Sequence, residues 1–280
     1  MANRVAEGGA DRYKVARSSK TPRRKRSQWL AFDLMTDAAP ERVELLSSLN
    51  RLELRFDSAA SLVASDAHDD PATLEWGCRA VLPLWEPDDE KAVADNARLL
   101  GPGVSLAQTF QGQRQELTIL SMSGLTLDLW RIGHIYASLD SRDADYEHFA
   151  PLFDKSGDLG LHSDLEECLV SGTHVVIIDR ARIAPAWRGL GGVGRLLIGR
   201  MLRWVAGRAA LVATHPYPID IPVDKWDDRT RETREKTVVQ RTWQSLGFVS
   251  FREDLWVMRP HLSAHDDAVE RLETAFGRYL

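Results

Sequence analysis

The chain has 280 residues, of which 44% are hydrophobic and 28% charged, with a formal net charge of −5. That length can bury one large or two small cores. No apolar run is long enough to cross a bilayer, no hydrophobic leader opens the chain, and Cys78 and Cys168 make neither a disulfide framework nor a metal cluster, so the expected setting is reducing and cytoplasmic.

The charge is uneven. Residues 1–27 carry nine Lys/Arg against Glu7 and Asp11, a balance of +7, which leaves −12 on the rest. With little apolar content, 1–27 read as a disordered basic tail. Arg23 to Arg26 are candidates for weak contact with nucleic acid or an acidic partner, against the alternative of a solvated tail that aids solubility. Trp29 opens ordered sequence, and residues 28–110 read as an accessory region or as the early part of the same domain.

Within that region, Val43, Leu46, Leu49 and Leu52 recur at helical spacing after Pro40, predicting a helix over 41–52. A polar break ends at Pro71, and an apolar run follows from Cys78 to Trp85. Lys91 to Leu100 reads as a helix stopped by Gly101-Pro102-Gly103. Residues 115–122 and 125–139 read as two strands around Ser123-Gly124, a hairpin, with His134 and Tyr136 on one face of the second. Tyr146 to Phe153 reads as a short helix, Leu165 to Val170 as another short element, and 174–183 as a strand.

A turn with four glycines follows, Arg188-Gly189-Leu190-Gly191-Gly192-Val193-Gly194. The helix over 192–207 then carries Val193, Leu196, Leu197, Met201, Trp204 and Val205 as its apolar positions. Residues 209–214 read as a strand and 229–246 as a long helix with a stripe at Val238, Val239, Thr242, Trp243 and Leu246. Gly247 falls where a left-handed cap is expected. Residues 248–251 and 255–258 read as strands and 266–279 as a terminal helix. From residue 111 onward, strands and helices alternate, which predicts a mixed α/β (α+β) fold, a twisted sheet flanked by helices.

The strand, glycine turn and helix unit aims backbone N–H groups and a positive helix end at an anion. Gly189 to Gly194 also fit the G-x-G-x-x-G pattern of dinucleotide sites. Such a site needs an acid about 20 residues on for the ribose, and residues 207–216 contain none.

Arg188 to Gly194, preceded by Ile183-Ala184-Pro185 and followed by Leu196-Leu197, resemble the acyl-CoA-binding motif of the GNAT (Gcn5-related N-acetyltransferase) superfamily. About 55 residues on, Arg241-Thr242-Trp243-Gln244-Ser245-Leu246-Gly247-Phe248 resemble the family's helix-to-strand signature. The pair spans 174–258. The resemblance implies a GNAT-like acyl-CoA N-acyltransferase core over 111–260, with 261–280 as a C-terminal helix. It implies transfer of an acyl group, acetyl above all, from acetyl-CoA (coenzyme A) to a small-molecule or peptide primary amine, by direct attack in a ternary complex and without a metal. The diphosphate would rest on Gly189, Leu190, Gly191, Gly192, Val193 and Gly194, helped by Arg188 and Arg195. The pantetheine amides would pair with the backbone at Arg182 and Ile183, in a gap between strands 174–183 and 209–214.

The sequence departs from the family in three places. Gly192 widens the turn or replaces the usual glycine. Trp243 stands where many members have a proton-donating tyrosine, and an indole does not supply that proton. Ile177 stands near where some members carry a glutamate. Asp179 and His215 are the candidate catalytic bases. Asp179 has the alternative of an ion pair with Arg180 or Arg182, and His174, His134 and Tyr217 are lesser candidates. Trp187 is either a stacking partner for adenine or a packed aromatic. The rival to the enzyme reading is a catalytically silent GNAT-like module that senses CoA or binds protein or nucleic acid. Acceptor identity is not legible here, and oligomeric state, a homodimer included, stays open.

Overall fold

The computed structural model describes residues 40–59, 72–84, 106–108, 115–132, 135–140, 144–154, 158–219 and 229–280. The chain divides into two compact units, residues 1–37 and 38–280, and all described residues lie in the second. The basic tail with Arg23 to Arg26, Trp29, the helix expected over 91–100 with its glycine stop, and His134 lie outside them.

The elements are α1 (Pro40–Ser47), β1 (Glu53–Ala59), β2 (Thr73–Leu84), β3 (Leu106–Gln108), β4 (Gln115–Asp128), α2 (Ile135–Asp140), β5 (His174–Ile183), α3 (Val193–Val205), β6 (Ala209–Thr214), α4 (Arg229–Ser245), β7 (Val249–Ser250), β8 (Trp256–Met258) and α5 (Ser263–Phe276). Short 3-10 turns cover Leu49–Arg51, Ala144–Leu152, Ser163–Val170 and Pro185–Trp187. One mixed sheet runs β1-β2-β4-β5-β6-β8-β7, with β3 pairing β4 off that path. Strands β1, β2 and β3, from the 28–110 region, belong to this sheet. β5 and β6 are parallel, joined by the crossover helix α3 as parallel neighbours require; the other pairings are antiparallel.

The expected hairpin at Ser123-Gly124 is absent. β4 runs straight through it, and residues 135–140 are helical, with the Tyr136 hydroxyl donating to the Phe153 carbonyl at 2.9 Å. Gly124 keeps an extended backbone because it marks an irregularity, not a turn. Gly124 pairs with Ile178 and Ser123 with Arg180, so Asp179 of β5 has no opposite residue. The extra residue swaps the side-chain alternation of β5. Before it, Val175 and Ile177 join a core cluster with Leu125, Leu127, Phe149 and Leu165. Beyond it, Ile183 has the same parity yet meets α3 at Gly194.

On α3, Leu196, Leu197, Met201 and Leu202 are buried, whereas Trp204, read as part of that stripe, is 74% exposed and lies against Phe56 with ring centroids 5.6 Å apart. Helix α5 packs on α3 where Gly199 leaves room for Val269. Arg200 and Arg203 hold Glu273 at 3.0 and 3.2 Å, and Arg203 also holds Asp266 at 3.1 Å. Partial burial alone would raise the Glu273 carboxyl. The two arginines outweigh it and hold the group below its ordinary value of 4.5. A depressed carboxylate contributes stability above its unfolded pKa and loses it as pH falls through the folded one. The expected result is that Glu273→Gln lowers the urea midpoint at pH 7 and flattens its decline below about pH 4.5; parallel pH profiles for variant and parent would contradict it.

Candidate functional site

Parallel pairing of β5 with β6 ends at Ile178 opposite Thr214. From Asp179 to Ile183, β5 continues with β4 alone on its other side. Among the described residues no strand pairs with the side of β5 turned toward β6 over this stretch, and an extended amide-bearing group can pair with such an edge like an added strand.

The turn that follows is built by specific chemistry. Arg188 Nε and Nη2 each donate to the Ile183 carbonyl at 3.1 Å, folding the chain back at the end of β5. Gly189, Gly191 and Gly192 have φ of +72°, +62° and +117°. Gly192 is the N-cap of α3, and its carbonyl accepts from Leu196 at 3.0 Å. An L residue at that φ would be strained. The N–H groups of Gly194 and Arg195 have no backbone partner among the described residues, and the first N–H groups of a helix, with its positive end, are suited to an anion. Helix α5 props this turn from behind, with Phe276 beside Gly191 and Leu272 beside Gly192.

A cleft of about 530 Å³ is lined both by this stretch of β5 and by the turn. Every residue expected to hold the cofactor lines it except Gly191, which faces Phe276 instead. Asp179 and His215 line it too. Asp179 makes the ion pair expected of its structural role, with Arg180 at 3.3 Å. Trp187 also lines the cleft but is 1% exposed, a packed aromatic, not a free stacking surface. His174 sits at the far strand end, 4.0 Å from Asp128. The expected stripe of α4 supplies Val238, Val239, Thr242 and Trp243 as the opposite wall. Gly247 takes the left-handed cap at φ +97°, with its N–H donating to Gln244, so Trp243 is held at the cleft by a sharp helix end.

Three residues of the site were not legible as a group. His148, from the Ala144–Leu152 turn, stacks on His215 with centroids 4.8 Å apart, and His215 stacks on Tyr217 at 5.9 Å. The Tyr217 hydroxyl donates to Glu232 of α4 at 2.8 Å. That bond, with burial and the nearby carboxylate charge, pushes the phenol above its ordinary range, so it stays protonated at neutral pH. No spacing in the sequence links His148 to His215. Both cysteines are buried, and burial with the Asp57 charge pushes the Cys78 thiol up to about 12, which makes it inert. Among the described residues no cluster of side chains fits a metal ion and no helix is long and apolar enough to cross a membrane.

Among known proteins, no family model matches this chain, and neither a curated protein nor a solved structure matches it significantly.

Proposed function

We propose that this protein is an acyl-CoA-dependent N-acyltransferase with a GNAT-like fold, which moves acetyl from acetyl-CoA to a primary amine in a ternary complex. The observation that carries the reading is the junction of three features in one cleft: the stretch of β5 beyond Ile178 where pairing with β6 has ended, a turn of positive-φ glycines, and the N-terminus of α3. A diphosphate fits the N–H groups of the turn, with Arg195 beside it. Pantetheine amides fit the edge at Arg182 and Ile183, and the apolar wall of α4 covers the arm.

In this reading His215 or Asp179 takes the proton of the amine as it attacks the thioester carbon. A backbone N–H of β5 stabilises the oxyanion that forms. Collapse breaks the carbon–sulfur bond, and the thiolate takes a proton. Trp243 cannot supply it; the Tyr217 phenol, in the same cleft, can. Calorimetric titration of the full chain with acetyl-CoA and with CoA tests the proposal. Binding in the micromolar range is expected, and no heat at millimolar ligand would overturn it.

One observation favours a second reading. Trp243, where the family's proton donor is expected, is itself buried. If CoA binds but no thiol is released with a broad panel of amines and peptides, the chain is a CoA-sensing module and not an enzyme.

A further inference from the structure

His215 is the first residue past the pairing of β6, whose last residue, Thr214, is matched with Ile178 on one side and Trp256 on the other. Past a ladder, the orientation of a side chain depends on what it packs against. Two rings lie nearly parallel to that of His215. His148 is 4.8 Å away between centroids with the planes 28° apart, and Tyr217 is 5.9 Å away with the planes 16° apart. Each neighbour is itself anchored. The Tyr217 hydroxyl donates to Glu232 of α4 at 2.8 Å. His148 stands next to Phe149, which is buried with Leu152 in the core cluster that includes Val175 and Ile177 of β5 and Ala213 of β6. The His148 backbone is therefore tied to the same sheet that ends at His215.

His148 is exposed and does not line the large cleft, whereas His215 does. An effect of His148 on chemistry in the cleft therefore passes through His215. Stacking engages the faces of an imidazole, and its nitrogens take and give protons in the plane of the ring. A stack fixes that plane without competing for the proton. A base whose ring turns freely is aimed away from the amine for part of the time, and a misplacement of about 1 Å can cost about a hundredfold in rate. A ring that accepts the proton also becomes a cation, for which a neighbouring aromatic face is favourable. Asp179, the other candidate base, is instead engaged by Arg180 at 3.3 Å.

We infer that His215 is the base of the transfer and that His148 is its positioning residue, whose ring holds the His215 imidazole plane toward the attacking amine. The proton that His215 takes is the one the amine nitrogen gives up as it bonds the thioester carbon. The role asks His148 for a ring face and not for a proton. This rests on the transferase reading above and chooses between its two bases.

The test uses the full chain with acetyl-CoA and, as acceptors, propylamine, diaminopropane and glycinamide. With an amine that reacts, His148→Ala is expected to lower kcat about tenfold, with KM for acetyl-CoA and the urea midpoint unchanged. His148→Phe, which keeps a ring face and cannot titrate, is expected to restore kcat. On a His215→Ala background, itself slowed about a hundredfold, His148→Ala is expected to change nothing further, because the two residues act as a unit. Parent kcat in either alanine variant, equal losses in His148→Ala and His148→Phe, or additive losses in the double variant overturns the inference. If CoA binds and none of the amines reacts, nuclear magnetic resonance of the CoA-bound chain with labelled histidine decides. His215 is expected to keep one side-chain rotamer in the parent and in His148→Phe and to average between rotamers in His148→Ala; the same behaviour in all three ends the inference. If CoA itself does not bind, the transferase reading falls, and the same spectra of the free chain decide separately whether His148 fixes the His215 ring.

Discussion

Gly124→Ala is expected to destabilise the folded chain by about 3 kcal/mol, at the upper end of what overpacking costs. A Cβ at this position would collide with the Ile177 carbonyl and lie 2.6 Å from Trp76 Cζ2. Neither neighbour can retreat easily. Ile177 belongs to β5, in the middle of the sheet and paired on both sides, and Trp76 is buried. A glycine in the exposed turn of a hairpin would accept alanine at little cost, so the same measurement separates a bulged strand from the hairpin that the residues predict. A urea midpoint within experimental error of the parent would show that the two strands do not approach as closely as described.

Gly192→Ala should reduce acetyl-CoA affinity by about a hundredfold, with a smaller loss of folding stability of about 1–3 kcal/mol from a non-glycine residue at φ +117°. The added Cβ would lie 2.7 Å from Arg195 Nη2 and 3.1 Å from Leu272 Cδ2. The arginine end can swing aside, but doing so removes it from the cleft, and the cap can relax only by turning the N–H groups of Gly194 and Arg195 away from the ligand. Calorimetric titration of variant and parent reads this directly. An unchanged Kd would place the diphosphate elsewhere and remove the central support of the transferase proposal.

Local signals located much of the site region. Strand 174–183 and strand 209–214 fall on their expected residues, α3 and α4 lie within two residues of theirs, and Gly247 caps α4 as its position predicts. These elements are coded by short-range rules: period-two or helical apolar spacing, and glycine where φ must be positive. The β4 reading failed because Ser-Gly between apolar runs has two physical meanings. In a turn the glycine supplies a positive φ; in a bulged strand it supplies the absence of a Cβ. Only the neighbouring strand, far away in sequence, decides which applies. Trp204 was misplaced for a similar reason, because helical spacing marks a stripe but not where its edge meets solvent.

The sequence by itself determined that residues 174–214 form a strand, a glycine turn, a helix and a strand, since each step depends on backbone freedom and apolar period within a few residues. The tertiary structure alone decided that β5 outruns β6, that Asp179 is extruded from the register, that Phe276 and Leu272 prop the glycine turn, and that His148 lies on His215. Those relations join residues through the pairing of a whole sheet and the docking of a terminal helix, and no local preference encodes them.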